Sequence, residues 1–148
     1  LRHIVDQIVA DNQQQFDRKK NVVENSIDAA CQVLADEHMM RTVLRNLLMN
    51  ANKFTGNGRI TISNREVNAM AEICIADTGV GMDQQQLDKM FNWDKRSSTK
   101  GTGGERGAGF GLLVSQEFVE KNGGKIWIES TAGEGSKFYF TLHQYHPQ

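Results

Sequence analysis

Residues Ile73-Cys74-Ile75-Ala76-Asp77-Thr78-Gly79-Val80-Gly81-Met82 constrain this chain more than any other stretch. The first half alternates as a strand does, so Ile73, Ile75 and Asp77 share one face. A carboxylate among aliphatic neighbours is costly unless it accepts a hydrogen bond. The two glycines that follow allow a tight turn and a close approach by another molecule. The stretch reads as a strand end that drops one polar acceptor into an apolar, glycine-floored pocket. Asp-x-Gly equally marks an ordinary hairpin turn, and the hexapeptide alone leaves both readings open.

The 148 residues, 39% hydrophobic and 24% charged, suit one globular domain with its own core. A formal charge of −1 gives no global attraction to nucleic acid or an anionic membrane, so neither is an expected partner. No apolar run approaches a membrane span, and no signal-peptide pattern opens the chain. Cys31 and Cys74 are far apart and lack metal-type spacing, as expected of two reduced thiols in a cytoplasmic protein. The first residue is Leu1, which suggests a piece of a longer protein.

In chain order, Leu1, Ile4, Val5, Ile8, Val9 and Phe16 predict one amphipathic helix over residues 1–17. Val22-Val23 and Cys31 to Leu34 predict two short strands around a turn at Asp28. Asp36 caps a long helix from about Glu37 to Phe54, with Met40, Leu44, Leu47, Leu48 and Ala51 inward. Strands follow over Arg59–Ser63 and Ile73–Asp77, with a hairpin turn at Asn68-Ala69. Asp83 caps a short helix ending at Phe91. Residues 92–106 carry almost no aliphatic side chains and read as a mobile loop of lid length. Gly107-Ala108-Gly109-Phe110-Gly111 then opens a helix with Phe110, Leu113, Val114 and Phe118 inward, ended by Gly123-Gly124. Strands Lys125–Ser130 and Lys137–Leu142, joined through Gly133-Glu134-Gly135, finish the chain. The expected fold is α+β: a two-layer sandwich whose mixed, mostly antiparallel sheet is covered on one face by about three helices.

Three further groups can carry chemistry. Asn46, Asn50 and Lys53 form a polar stripe at i, i+4 and i+7 on the long helix. An Asn oxygen there is a neutral, hard ligand for Mg²⁺, and Lys53 can meet phosphate as a point charge; a solvated helix face is the plainer reading. Gly107-x-Gly109-x-Gly111 at a helix start frees backbone N–H groups as a phosphate cradle, though it fits neither the dinucleotide fingerprint nor the P-loop. Lys95, Arg96, Lys100 and Arg106 can stabilise phosphoryl charge, Arg106 best because it abuts the glycines. Phe91 and Trp93 stand at the front of this segment.

The order of these groups resembles the ATP-binding catalytic domain of sensor histidine kinases, the histidine-kinase-like ATPases of the GHKL superfamily. The resemblance runs from about Leu1 to Leu142 and rests on four separate motifs. It implies one domain over 1–148, a first helix over 1–17 that can continue from a dimerisation domain, and an ATP lid at 92–106. It further implies that Asp77 accepts the adenine amino group, and that Gly79, Gly81 and Met82 line the base pocket. Asn50 would hold Mg²⁺ with Asn46 in support, and Lys53 would meet phosphate. Phe91 would match the phenylalanine box, and Gly107, Ala108, Gly109, Phe110, Gly111 and Leu112 the second glycine box. Ala108 and Phe110 stand where Thr and Leu are more common, and Asn52 replaces a usual aliphatic residue.

Hydrolytic relatives of this kind usually carry Glu where Asn46 stands, and an amide cannot act as a general base. Asn46 therefore favours phosphoryl transfer over hydrolysis. None of His3, His38, His143 and His146 fits a phosphoacceptor. The expectation is a cytoplasmic kinase domain, from a larger bacterial sensor, that binds ATP and Mg²⁺ and phosphorylates a histidine on the dimerisation domain of the same protein. A response regulator is then the downstream partner. The alternative is a nucleotide-binding regulatory module of the same superfamily, anti-sigma serine kinase-like or a degenerate sensor.

Overall fold

Period-two alternation in the strands and 3.6-residue periodicity in the long helix give each element one apolar face, and these faces meet in a single core. The computed structural model describes residues 1–91 and 103–145; for residues 91 and 103–110 it describes the backbone. The helices are α1 (Arg2–Asp11), α2 (Gln13–Arg18), α3 (Glu37–Lys53), α4 (Gln84–Phe91) and α5 (Gly103–Lys121). The strands are β1 (Val22–Ser26), β2 (Val33–Leu34), β3 (Arg59–Val67), β4 (Met70–Asp77), β5 (Ile126–Thr131) and β6 (Gly135–Gln144).

The sheet runs β1-β3-β4-β6, and β6 carries β5 and β2 on successive parts of its other edge. Among the described strand pairs only β1–β3 is parallel, so the sheet is mixed and mostly antiparallel, as expected. Val43, Leu44, Leu47, Leu48 and Ala51 of α3 are buried with Ile60, Ile62, Ile73, Ile75, Phe138 and Phe140 of the sheet. The outward residues of the sheet include Trp127 stacked on Tyr139, ring centroids 5.2 Å apart, and Glu72 paired with Arg65 at 2.6 Å.

Asp36 caps α3 by accepting from Met39 N at 2.8 Å. Asp83 and Gln86 cap α4 reciprocally, each side chain accepting the other's backbone N–H at 2.9 Å.

Four expectations need correction. The single first helix breaks at Asn12, whose side-chain amide turns back to donate to Ile8 O at 2.8 Å. That bond competes with the helical ladder and starts a new helix at Gln13. The short segments near the turn at Asp28 do not pair with each other: β1 joins β3 and β2 joins β6. The inward stripe of α5 is Leu112, Ser115 and Val119, with Leu113, Val114 and Phe118 half-buried. An all-apolar count missed it because Ser115, wholly buried, has an unpartnered hydroxyl. Finally, α5 begins at Gly103 and not at Gly107. Extending an existing helix adds one hydrogen bond per residue, so poor helix formers can continue it where they could not start one.

Asn68 and Ala69 both have positive φ, 52° and 66°, in the two-residue turn between the paired ends Val67 and Met70. This backbone strains Ala69, because a Cβ in the left-handed region costs about 1–2 kcal/mol. Ala69→Gly should therefore raise stability by about 1 kcal/mol in denaturant titration, with nucleotide binding unchanged.

Candidate functional site

Asp77 ends β4 between Ile60 of β3 and Ser136 of β6, and is 7% exposed. Its Oδ1 accepts from Gly79 N at 2.9 Å and Ser136 N at 3.2 Å. Burial pushes the carboxyl above the usual carboxylate range, and the two backbone donors oppose that rise. The Thr55 hydroxyl pulls weakly in the same downward direction from beside the carboxyl, but it is buried and lacks a partner of hydrogen-bonding geometry. Among the described residues Asp77 Oδ2 accepts no hydrogen bond. The site thus keeps one acceptor and one hydroxyl unused at the same place.

The glycines after Asp77 serve the chain's own packing. A Cβ on Gly79 would lie 2.2 Å from Phe54 O, and one on Gly81 would lie 2.0 Å from Thr131 O. Gly81 also has a φ of +69°. The close approach read from sequence is therefore one backbone meeting another: loop 54–58 on one side and the β5–β6 hairpin on the other.

The hairpin supplies residues that the sequence reading passed over. Ser130 Oγ accepts from Met82 N at 2.7 Å and lies 2.7 Å from Ser136 Oγ. Gly133 N donates to Val80 O at 2.6 Å. Asp77, Ser130, Thr131, Gly135, Ser136 and Lys137 belong to the lining of a cavity of about 320 Å³. The sequence signal there is the turn pattern Gly133-Glu134-Gly135, which reads as a plain hairpin.

A different cavity, also of about 320 Å³, gathers Arg45, Asn46, Asn50, Lys53, Gly111 and Leu112. The α3 stripe therefore lines a hollow beside α5. Asn50 is 9% exposed, and its side-chain amide makes no hydrogen bond among the described residues. Asn46 Nδ2 donates to Gly111 O at 3.3 Å, which leaves its oxygen available. Lys53 Nζ lies 5.5 Å from the Phe54 ring centroid. Arg45 was missed, although with Met49 and Lys53 it stands at i, i+4 and i+8 on the same helix.

Gly107, Gly109 and Gly111 do not open a helix here. The free N–H groups of the first turn of α5 belong to residues 103–106, Arg106 among them, and the three glycines lie within the helix. Phe91 falls at the end of α4 and Ala108 and Phe110 within α5, all three described by backbone only. Trp93, Lys95, Arg96 and Lys100 lie outside the described residues.

These donor sets fit a purine nucleotide with Mg²⁺. Asp77 Oδ2 with the orphaned Thr55 hydroxyl suits an exocyclic amine, and the Asn50 oxygen, without a hydrogen bond among the described residues, suits a hard cation.

The raised Asp77 carboxyl has a stability consequence with a fixed sign. The folded state binds this proton more tightly than the unfolded state, so stability falls as pH rises through the unfolded carboxylate value of about 3.9 up to the folded one. In Asp77→Asn this component should be missing from the stability–pH curve. The neutral variant should melt no lower than the parent at pH 7.

The family model described as "Histidine kinase-, DNA gyrase B-, and HSP90-like ATPase" matches residues 35–146. The chain is 39% identical, over 113 residues, to the adaptive-response sensory kinase SasA of Prochlorococcus marinus, covering 74% of this chain and 29% of that kinase. It is 34% identical, over 123 residues, to the aerobic respiration control sensor protein ArcB of Escherichia coli, covering 82% of this chain and 16% of that protein. The chain thus spans less than a third of either relative. Its fold matches the catalytic domain of histidine kinase ThkA with a TM-score of 0.79 at 24% identity, covering 97% of this chain and 92% of that one. Full-length ShkA, solved in complex with AMPPNP, gives a TM-score of 0.82 at 22% identity, covering 99% and 30%. Because the family model matches residues 35–146, well over half of the chain, the chain belongs to the histidine kinase-, DNA gyrase B- and HSP90-like ATPases.

Proposed function

We propose that this domain binds Mg²⁺·ATP and passes the γ-phosphoryl group to a histidine on a separate dimerisation domain of the same sensor kinase. The observation that carries the reading is Asn50, 9% exposed and with no side-chain hydrogen bond among the described residues, in one hollow with Lys53 and Asn46. Asp77 Oδ2 would accept the adenine amino group. Guanine places a carbonyl at that edge, and two facing acceptors repel, so the base end selects adenine. Gly79, Gly81 and Met82 would border the base through backbone held rigid from both sides. Asn50, supported by Asn46, would hold Mg²⁺, which neutralises phosphate charge when bound. Lys53 and Arg106 would add positive charge at the phosphates, and the Gly107–Leu112 segment would border them.

Asn46 supports transfer over hydrolysis. Its amide donates to Gly111 O, which a carboxylate could not do, and it offers no base to activate water. Catalysis would rest on orientation and charge neutralisation, with the nucleophile brought by the dimerisation domain. A response regulator would receive the phosphoryl group next; ThkA, whose fold this chain shares, has been solved in complex with the response regulator TrrA. Among the described residues no helix is long and apolar enough to cross a membrane. We place the domain on the cytoplasmic side of a larger sensor.

Calorimetric titration of the domain with Mg²⁺·ATP tests the binding step, and transfer from labelled ATP in the full-length parent tests the chemistry. Asn50→Ala and Asp77→Asn should each lower ATP affinity at least tenfold, the effect of losing a bond worth about 1.5–3 kcal/mol to a charged group. Both should also lower labelling of the acceptor histidine, and Asp77→Asn should keep its melting temperature. Unchanged affinity and labelling in both variants would sink the assignment.

A further inference from the structure

Asn52 stands one residue before the end of α3, and the structure shows what its amide does there. Asn52 and Asn21 are 7% and 4% exposed, side by side beneath the C-terminal end of α3. Asn21 Nδ2 donates to Asn52 Oδ1 at 2.8 Å and to Thr55 O at 2.8 Å. Asn21 Oδ1 accepts from Gly58 N at 3.0 Å. One amide therefore grips the loop after α3 near both of its ends. Asn52 Nδ2 donates to Gln15 O at 3.2 Å, which turns its oxygen toward Asn21.

Loop 54–58 is one wall of the turn that follows Asp77. Val80 N donates to Phe54 O at 3.1 Å, and Arg59 N donates to Thr78 Oγ1 at 3.0 Å. A Cβ on Gly79 would lie 2.6 Å from Thr55 Oγ1, and one on Gly58 would lie 2.5 Å from Thr78 Oγ1. The two segments touch without room for a methyl group, so a shift of the loop must be passed to residues 78–80. Gly79 N in turn holds Asp77 Oδ1, and so fixes the direction of Oδ2.

We propose that Asn21 is a positioning residue for the adenine end of the pocket, and that Asn52 holds it in register. The inference rests on the nucleotide reading above, which it deepens. Asn21 touches no ligand in this account; it acts through Thr55, Gly58 and Gly79. An aliphatic residue at 52 would pack but could not orient Asn21. Loss of the lock would loosen the base end and leave the Asn50 and Lys53 end as it is.

The test compares wild type, Asn52→Leu and Asn21→Asp. Asn52→Leu leaves both loop bonds of Asn21 possible but removes the acceptor that aligns it. Asn21→Asp keeps the acceptor for Gly58 N and turns its one remaining carboxylate oxygen toward Asn52 Oδ1 and Thr55 O. Each protein is titrated with Mg²⁺·ATP and Mg²⁺·GTP well below its melting midpoint, and amide exchange at Gly79 is followed without nucleotide. ATP affinity should fall about tenfold in both variants, with GTP affinity unchanged, so the ATP preference contracts by the same factor. Exchange at Gly79 should quicken. Should Asn21→Asp fail to fold, Asn52→Leu carries the comparison alone.

Variants that melt lower yet keep wild-type ATP affinity and preference would show an amide pair that only stabilises, and would overturn the proposal. A wild type without ATP preference would sink the adenine reading instead. The Gly79 exchange then decides the lock by itself: unchanged rates overturn it, quickened rates support it.

Discussion

A single carboxylate oxygen, Oδ1 of Asp77, accepts two backbone N–H groups, one from its own turn and one from a neighbouring strand. Gly79 N reaches it from two residues ahead, and Ser136 N from 59 residues away, across the β4–β6 ladder. Two donors on one oxygen fix the plane of the carboxyl and leave the other oxygen to face outward. Much of the nearby chain serves that geometry. Gly79 and Gly81 let the turn press against loop 54–58 and against Thr131, and Gly135 does the same for the carbonyl of Asp77, 2.1 Å from where its Cβ would stand. Ser130 and Ser136 tie Met82 to the hairpin through hydroxyls. The acceptor is costly to bury, and it is tolerated because the surrounding backbone is arranged to pair half of it.

The helical layer is fixed by a comparable device. Asn122, just past the end of α5, accepts from Asp36 N at 2.9 Å and donates to Phe118 O at 2.7 Å. Asp36 is also the cap of α3, so the end of one helix sets the start of the other. At the far end, Asn46 of α3 donates to Gly111 O of α5. Between these points lies the well-packed part of α5, with Leu112 and Val119 in the core. Beyond Gly111, toward its N-terminus, the helix contains four more glycines, each about 1 kcal/mol poorer than alanine as a helix former. Intrinsic helix propensity is thus lowest on the side of the Asn50 hollow where phosphate would be met.

The parts of this arrangement that were legible in the sequence are those governed by local periodicity. Parity along β4 put Asp77 on the core face, and helical spacing put Asn46, Asn50 and Lys53 on one stripe. The Asp36 cap and the Asn68-Ala69 turn followed from side-chain and turn chemistry. What stayed hidden depends on partners distant in sequence. Ser136 is 59 residues from Asp77, and Asn21 is 31 residues from Asn52, so no window of sequence contains either pair. The break at Asn12 is local but turns on one rotamer, because the same Asn facing solvent would have let the helix run on. The stripe of α5 was misjudged because Ser115, buried without a partner, breaks the rule that inward positions are apolar.

Asn46 shows why residue type and fold have to be considered together. By sequence it is informative for what it lacks, since an amide cannot take a proton from water. By structure it also has a positive role, because its N–H holds Gly111 O and joins α3 to α5 beside the hollow. A glutamate at this position would gain a base and lose that donor, and would set a carboxylate against a carbonyl oxygen in partly buried surroundings. The two chemistries therefore call for different seams between the same two helices. In this chain the seam is built for an amide, which fits a site that orients a phosphoryl group for a nucleophile supplied from elsewhere.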